Sequence, residues 1–267
     1  MTRKLTTHWH MMKFSGQGAI EQEDEIAEEF PLTLYVDGEE FATIVCSPTE
    51  LTDLVVGFLA SEGVIRQAGE LKTMSVDEDR GIAYAELIRP QSVGKEYYAK
   101  RFIGSCCGKS RQFYFQNDVR TAKTSFSQIR IKPEQVYSLM ETLQRSSVDF
   151  RNTGGLHNAA LCSVTDVLAT RADIGRHNAL DKLFGHCLRN RWRTSDKIIA
   201  FSGRLSSEVV LKAAKIGVGV MLSKSAPTDL ALSLADDLGI TCVGFIRGSS
   251  MNVYTHRERI ASPDVEV

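Results

Sequence analysis

From residue 152 onward the chain alternates between short apolar runs and longer stretches with helical spacing, and this alternation restricts the fold more than any other feature. Residues 159–164, 167–172, 198–202, 218–222, 240–246 and 252–255 read as strands. Residues 176–189, 206–216 and 227–238 read as helices. Strands separated by helices of this length predict a mostly parallel sheet covered on both faces. In such sheets ligands bind over the loops that leave the strand C-termini.

The first half is organised differently. Residues 30–46 predict a β-hairpin, because Leu32, Leu34 and Val36 alternate with Thr33 and Tyr35 and Asp37-Gly38 is a strong turn signal. Ser47-Pro48-Thr49-Glu50 has the form of a capping box with proline in the first turn. Leu51, Leu54, Val55, Phe58 and Leu59 then share one helical face, which Gly63 ends. Residues 71–76 and 82–88 predict a second hairpin, completing a ββαββ unit. Ahead of it, roughly the first 25 residues, including the acidic run 21–29, are expected to be a weakly ordered, solvated lead-in. Residues 117–129 read as a polar connector, and Pro133 begins an amphipathic helix with Val136, Leu139, Met140 and Leu143 on one face. The expected division is a small α+β domain over 26–128, which includes a cysteine loop, and an α/β domain over 129–267.

Charge and cysteine content remove several function classes. Among 267 residues, 32 Lys and Arg against 33 Asp and Glu leave a formal net charge of −1. A balance so near zero gives no bulk attraction to nucleic acid or to an anionic membrane surface. No apolar run approaches the roughly 18 residues that span a bilayer, and the N-terminus has no apolar signal core. Those features predict a cytoplasmic protein with reduced thiols. Its six cysteines are Cys46, Cys106, Cys107, Cys162, Cys187 and Cys242, too sparse for a disulfide scaffold.

The adjacent pair is the most specific chemical feature. Gly104-Ser105-Cys106-Cys107-Gly108-Lys109-Ser110, flanked by Arg101 and Arg111, reads as a flexible electropositive thiol loop. Neighbouring positive charge favours the thiolate, which is the nucleophile. The plainer alternative is two buried cysteines in a strand. Gly108-Lys109-Ser110 is not a phosphate-binding P-loop, since Ile103 stands where the first glycine belongs. No Cys-x-x-Cys occurs, so no zinc site of that type is expected.

Other constellations are weaker. Asp173, His177 and Asp181, four apart in Asp173-Ile174-Gly175-Arg176-His177-Asn178-Ala179-Leu180-Asp181-Lys182, would share one face if helical, with a carboxylate orienting or protonating the imidazole. A helix cap beside a structural histidine explains them equally. Ser202-Gly203-Arg204 and Ser225-Ala226-Pro227-Thr228 place small residues at helix starts, where backbone N–H groups favour an anion such as phosphate. A zinc deaminase needs a glutamate two residues after its ligand histidine, and after His157 that position is Ala159.

These residues in this order resemble the formate dehydrogenase accessory sulfurtransferases, the FdhD family, from about Phe30 to Ile260. The marks are Phe30-Pro31-Leu32, Gly57-Phe58-Leu59-x-x-Glu62-Gly63, Cys106-Cys107-Gly108, Thr153-Gly154-Gly155-x-His157, the run from Asp173 to Lys182, Ser202-Gly203-Arg204, Ser225-Ala226-Pro227-Thr228, and Gly244-Phe245-x-Arg247-Gly248. The resemblance implies a cytidine-deaminase-like three-layer α/β domain and a homodimer. It implies an enzyme, a sulfurtransferase that receives sulfur from a cysteine desulfurase as a cysteine persulfide. That sulfur goes to the molybdenum (or tungsten) bis-guanine-dinucleotide cofactor, a bound substrate, for formate dehydrogenase. Cys107 matches the persulfide-carrying cysteine, and Ser110 stands where many relatives have a second one. Cys106 is then a resolving thiol, an alternative carrier, or neither. The family's cofactor-binding stretch maps onto Phe245, Ile246, Arg247, Gly248, Ser249 and Ser250. No metal ligand is expected. The alternative function is a non-catalytic carrier of the same cofactor; a nucleoside hydrolase is disfavoured by the missing zinc motif.

Overall fold

The structure is a computed structural model that describes residues 4–16, 18–89, 122–146 and 153–261, and the backbone of 101–103. Its N-terminal segment overturns the first expectation. β1 (Thr6–Ser15) and β2 (Gly18–Ala27) form a two-stranded antiparallel ribbon in place of a weakly ordered lead-in. Cross-strand pairing supplies what the acidic composition alone does not suggest.

The ββαββ unit follows as expected. β3 (Phe30–Val36) and β4 (Glu39–Cys46) make a hairpin in which Asp37 and Gly38 both have positive φ, 49° and 82°, as a tight primed turn requires. Helix α1 (Leu51–Ser61) leads to β5 (Leu71–Asp77) and β6 (Ile82–Leu87). With β7 (Arg101–Ile103) these build a five-stranded sheet, order β5-β6-β3-β4-β7. The capping box is not made. The helix begins at Leu51, Glu50 sits in the left-handed region at φ 46°, and no side chain caps it. Ser47 is engaged elsewhere: its amide donates to Asp173 Oδ2 at 3.0 Å, and its hydroxyl accepts from the Ile174 amide at 3.0 Å.

Helix α2 (Pro133–Ser146) precedes β8 (His157–Cys162) and β9 (Val167–Asp173). Then come α3 (Arg176–Arg189), β10 (Ile198–Phe201), α4 (Ser207–Ile216), β11 (Val220–Ser223), α5 (Asp229–Asp237), β12 (Thr241–Arg247) and β13 (Ser250–Val253). The six-stranded sheet has the order β13-β12-β11-β10-β8-β9. It is mixed, where a mostly parallel sheet was expected. β10, β11 and β12 run parallel, joined by the α4 and α5 crossovers, whereas β8–β9, β8–β10 and β12–β13 are antiparallel. The cause is connection length: β8–β9 and β12–β13 are joined by turns too short for a helical crossover.

Both faces of this sheet are covered. Ala160, Ala200 and Leu222 belong to one core, with Val136, Leu139, Met140 and Leu143 of α2 packed over them. Burying such aliphatic side chains contributes roughly 1.5–3 kcal/mol each. Their strand neighbours Leu161, Ile199 and Met221 point the other way, into a core shared with α3, α4, α1 and the inner face of the five-stranded sheet, including Leu32 and Ile44. Between the two sheets α1 crosses α3 almost backbone to backbone. A Cβ on Gly57 would lie 1.8 Å from the Asp181 carbonyl oxygen, and one on Gly185 would lie 1.9 Å from that of Asp53. Only glycine at both positions permits this approach.

Candidate functional site

The strand order places a rim of loops over the C-terminal ends of β10, β11 and β12, and the first of these loops depends on one glycine. β10 ends in Ser202-Gly203-Arg204, where a Cβ on Gly203 would lie 2.9 Å from the Phe201 ring and 3.4 Å from His157 Nδ1. The loop is tied to the next one. Ser223 Oγ donates to the Gly203 carbonyl at 2.7 Å and accepts from the Ser225 amide at 3.0 Å. Leu205 donates to the Ala226 carbonyl, and Thr228 donates to that of Leu205. Ser225 in turn accepts from the Phe245 amide at 3.3 Å. The three loops are therefore joined by hydrogen bonds.

Phe245 takes a left-handed conformation, φ 51°, and is 39% exposed. Arg247, Gly248, Ser249 and Ser250 are exposed beside it, and Gly248 has φ 54° in the turn to β13. Ile246 differs: its side chain is buried in the core and anchors the strand. The arrangement presents an aromatic face, an arginine and two hydroxyls on one short turn, and Arg204 is exposed on the first loop.

On the helix side of the same rim lies His157, the first residue of β8. Burial lowers its pKa from the ordinary 6.5, Arg176 and His177 lower it further, and Asp173 opposes them. It is therefore held neutral. His177 Nε2 lies 2.9 Å from Glu208 Oε2, which links the starts of α3 and α4. Arg176 Nε and Ser206 Oγ are buried polar atoms with no hydrogen-bond partner among the described residues. Asn158 Nδ2 is unpartnered too, on a residue 7% exposed. Nothing in the sequence spacing singles out Asn158; its amide donates to Ser202 Oγ at 2.9 Å and its carbonyl accepts from the Ser202 amide at 3.0 Å.

The proposed row of Asp173, His177 and Asp181 does not form. Asp173 ends β9 and lies outside the helix. It is fully buried, 2.8 Å from Lys182 Nζ, and accepts from the Gly175 amide and Asn178 Nδ2. Asp181 accepts from Ser61 Oγ and pairs with Lys212, facing α1 and α4. Both carboxylates hold the architecture together, leaving His177 with Glu208. A cavity of about 590 Å³ lies apart from these side chains, between Thr49 and the base of the β1–β2 ribbon at Leu5, Thr6 and Glu25.

The cysteines divide sharply. Cys46, Cys162, Cys187 and Cys242 are free and buried. Burial pushes the thiols of Cys162, Cys187 and Cys242 up to about 12, and that of Cys46 higher still, so none is a thiolate at neutral pH. Cys106, Cys107, Lys109 and Arg111 lie outside the described residues, in the chain that follows β7. Among the described residues no group of three or more His, Cys, Asp or Glu side chains is placed to hold a metal ion. Among them, too, no helix is long and apolar enough to cross a membrane.

Comparison with known proteins assigns the chain. The FdhD/NarQ family model matches residues 27–261. The chain belongs to the FdhD/NarQ family. It is 60% identical over 248 residues to the sulfur carrier protein FdhD of Geobacillus kaustophilus, covering 93% of this chain and 94% of that one. It is 57% identical over 261 residues to the sulfur carrier protein FdhD of Bacillus subtilis, covering 97% and 99%. A solved structure from Desulfotalea psychrophila, described as a formate dehydrogenase accessory protein, superposes with a TM-score of 0.79 at 23% identity. It covers 97% of this family member and 100% of that chain, and so shares its fold.

Proposed function

We propose that this FdhD/NarQ family member is a sulfurtransferase in the maturation of formate dehydrogenase, with Cys107 as the persulfide carrier. The observation that carries the reading is the cysteine division. Four thiols are buried and held protonated, which leaves Cys106 and Cys107, close in sequence to Lys109 and Arg111, for thiolate chemistry. The curated relatives, named sulfur carriers, support it. The Cys107 thiolate attacks the terminal sulfur of a cysteine desulfurase persulfide. The donor S–S bond breaks, the donor cysteine leaves as thiolate, and Cys107 holds the persulfide. Its acceptor is the molybdenum (or tungsten) bis-guanine-dinucleotide cofactor, a substrate here.

Phe245 through Ser250 suit the nucleotide end of that substrate. An exposed ring can stack on a base, and Arg247 with the exposed hydroxyls of Ser249 and Ser250 can meet phosphate oxygens. Ile246 contributes by fixing the turn from within the core. A cytidine-deaminase-like layering is part of this reading. Ala159, where a deaminase needs glutamate, is fully buried between β9 and β10. A homodimer working in the cytoplasm completes it.

Reduced protein incubated with a cysteine desulfurase and cysteine is expected to gain the mass of one sulfur atom, and Cys107→Ala is expected to lose that gain. An unchanged wild-type mass with intact cofactor binding would replace this reading with a non-catalytic carrier. Comparing Cys106→Ala with Cys107→Ala for formate dehydrogenase activity assigns the second thiol.

A further inference from the structure

The β1–β2 ribbon is exposed on both faces, yet it carries large apolar side chains. Trp9 is 65% exposed, Phe14 77%, Ile20 59% and Met12 51%. An isolated two-stranded hairpin is marginal in water, and an unguarded strand edge is a template for another strand. The backbone register shows which edges are open. The Glu28 amide donates to the Leu5 carbonyl at 2.9 Å, so Leu5 and Glu28 are a hydrogen-bonded pair. Alternation along the same register makes Thr7–Ile26, Trp9–Asp24, Met11–Gln22 and Lys13–Ile20 hydrogen-bonded pairs as well. The amides and carbonyls of His8, His10, Met12 and Phe14 therefore point away from β2, along an edge that no other strand pairs among the described residues. On the opposite edge the corresponding outward residues include Glu21, Glu23 and Glu25.

We infer that the β1 edge is an interface with a second copy of this chain, in which two ribbons join antiparallel through β1 into a four-stranded sheet centred on Met11. Charge selects the edge. Pairing β2 with β2 would set the three outward glutamates against the same three, whereas β1 carries no carboxylate. Pairing β1 with β2 would leave an open edge at each end and grow without closing; β1 with β1 closes as a two-fold pair. Geometry and side chains select the register. The outward groups must pair with each other, so a centre on Met11 sets His10 against Met12 and His8 against Phe14 of the second copy. It overlaps all of residues 8–14. It also lays Lys13 of each copy beside Trp9 of the other, a cation on an aromatic face, and opposes no like charges. The inference gives a site to the homodimer proposed above and does not depend on the sulfur chemistry.

Cross-linking tests the centre. On a Cys106→Ser, Cys107→Ser background, Met11→Cys treated with copper phenanthroline is expected to give a reductant-sensitive covalent dimer. A two-fold pair that is not hydrogen-bonded brings Cα atoms within about 4.5 Å, inside disulfide range. Thr7→Cys, which this register sets opposite Ser15 of the second copy, is expected to remain uncross-linked. Sedimentation equilibrium supplies the second readout. Wild-type protein is expected at twice the chain mass, and Met12→Pro, which removes one outward amide and leaves the β1–β2 ladder, at the chain mass. A monomeric wild type would overturn both this interface and the homodimer. A dimeric wild type whose Met12→Pro form stays dimeric, or whose Met11→Cys form does not cross-link above Thr7→Cys, would overturn the interface and leave the homodimer standing.

Discussion

At the crossing of α1 and α3, charges are inside and every one shown is paired; at the rim over β10, β11 and β12, Arg204 and Arg247 are exposed and several buried polar atoms have no partner among the described residues. Asp53 is 3% exposed and accepts from Arg171 and Arg189. Asp173 with Lys182, and Asp181 with Lys212, are equally buried. Arg204 and Arg247, by contrast, reach into solvent, while Arg176 Nε, Ser206 Oγ and Asn158 Nδ2 lack acceptors or donors among the described residues. A buried ion pair contributes little net stability but is costly to break. An orphaned polar atom costs free energy unless something binds it. The crossing thus fixes the relative position of the two sheets, and the rim retains hydrogen-bonding capacity that no described residue uses.

Four substitutions sharpen this contrast, taken from the largest expected effect on stability. Gly185→Ala drives a methyl into the Asp53 carbonyl, where neither backbone can yield. It is expected to cost about 4 kcal/mol or more in denaturant titration, beyond the usual range for overpacking. Lys182→Met leaves Asp173 buried without its cation and is expected to cost about 3 kcal/mol. A loss below about 1 kcal/mol in either variant would mean that the crossing is not the rigid element described here.

His157→Gln acts through pH. His157 and His186 both titrate lower in the folded chain than the ordinary 6.5, chiefly because burial disfavours the charged ring. The unfolded chain therefore binds the extra protons. Stability is full above 6.5 and falls as pH drops through it toward the folded values. Thermal melts from about pH 7.5 to about pH 5.5 are expected to show a shallower decline in His157→Gln than in wild type. An unchanged slope would show that the imidazole is freely solvated. The smallest stability effect belongs to Phe245→Ala, expected within about 0.5 kcal/mol of wild type because the ring is exposed. The same change is expected to weaken guanine-nucleotide binding about tenfold, read by isothermal titration, if the ring stacks on the base.

Much of this contrast is legible in the residues. The Asp37-Gly38 turn, the apolar face of α2 and the strand-to-helix alternation after residue 152 all rest on local chemistry, and all appear in the structure. The rim loops follow from the same alternation, since a parallel β–α–β connection must place its turn at a strand C-terminus. The buried charges are less legible. Asp173, His177 and Asp181 have helical spacing and would share one face if all were helical, yet Asp173 ends β9. Ser47 and Glu50 match a capping box, but Ser47 is already bonded to Asp173 and Ile174, 126 and 127 positions away. A long-range partner outweighs a local cap worth about 1 kcal/mol.

The sequence by itself determined the periods, the turns and the inventory of reactive side chains, including which cysteines have basic and glycine neighbours in the chain. Those depend on neighbours within a few positions, where propensity and side-chain spacing act. The tertiary structure decided the directions of β8 and β9, the glycine contact between α1 and α3, the neutral state of His157 and the partners of Asp173. It also turned an acidic leader into a paired ribbon, because ten cross-strand pairs hold what neither strand's composition would order alone. Each of these depends on chain segments meeting across the fold, and such meetings are fixed by burial and strand pairing over distances that local pattern does not encode.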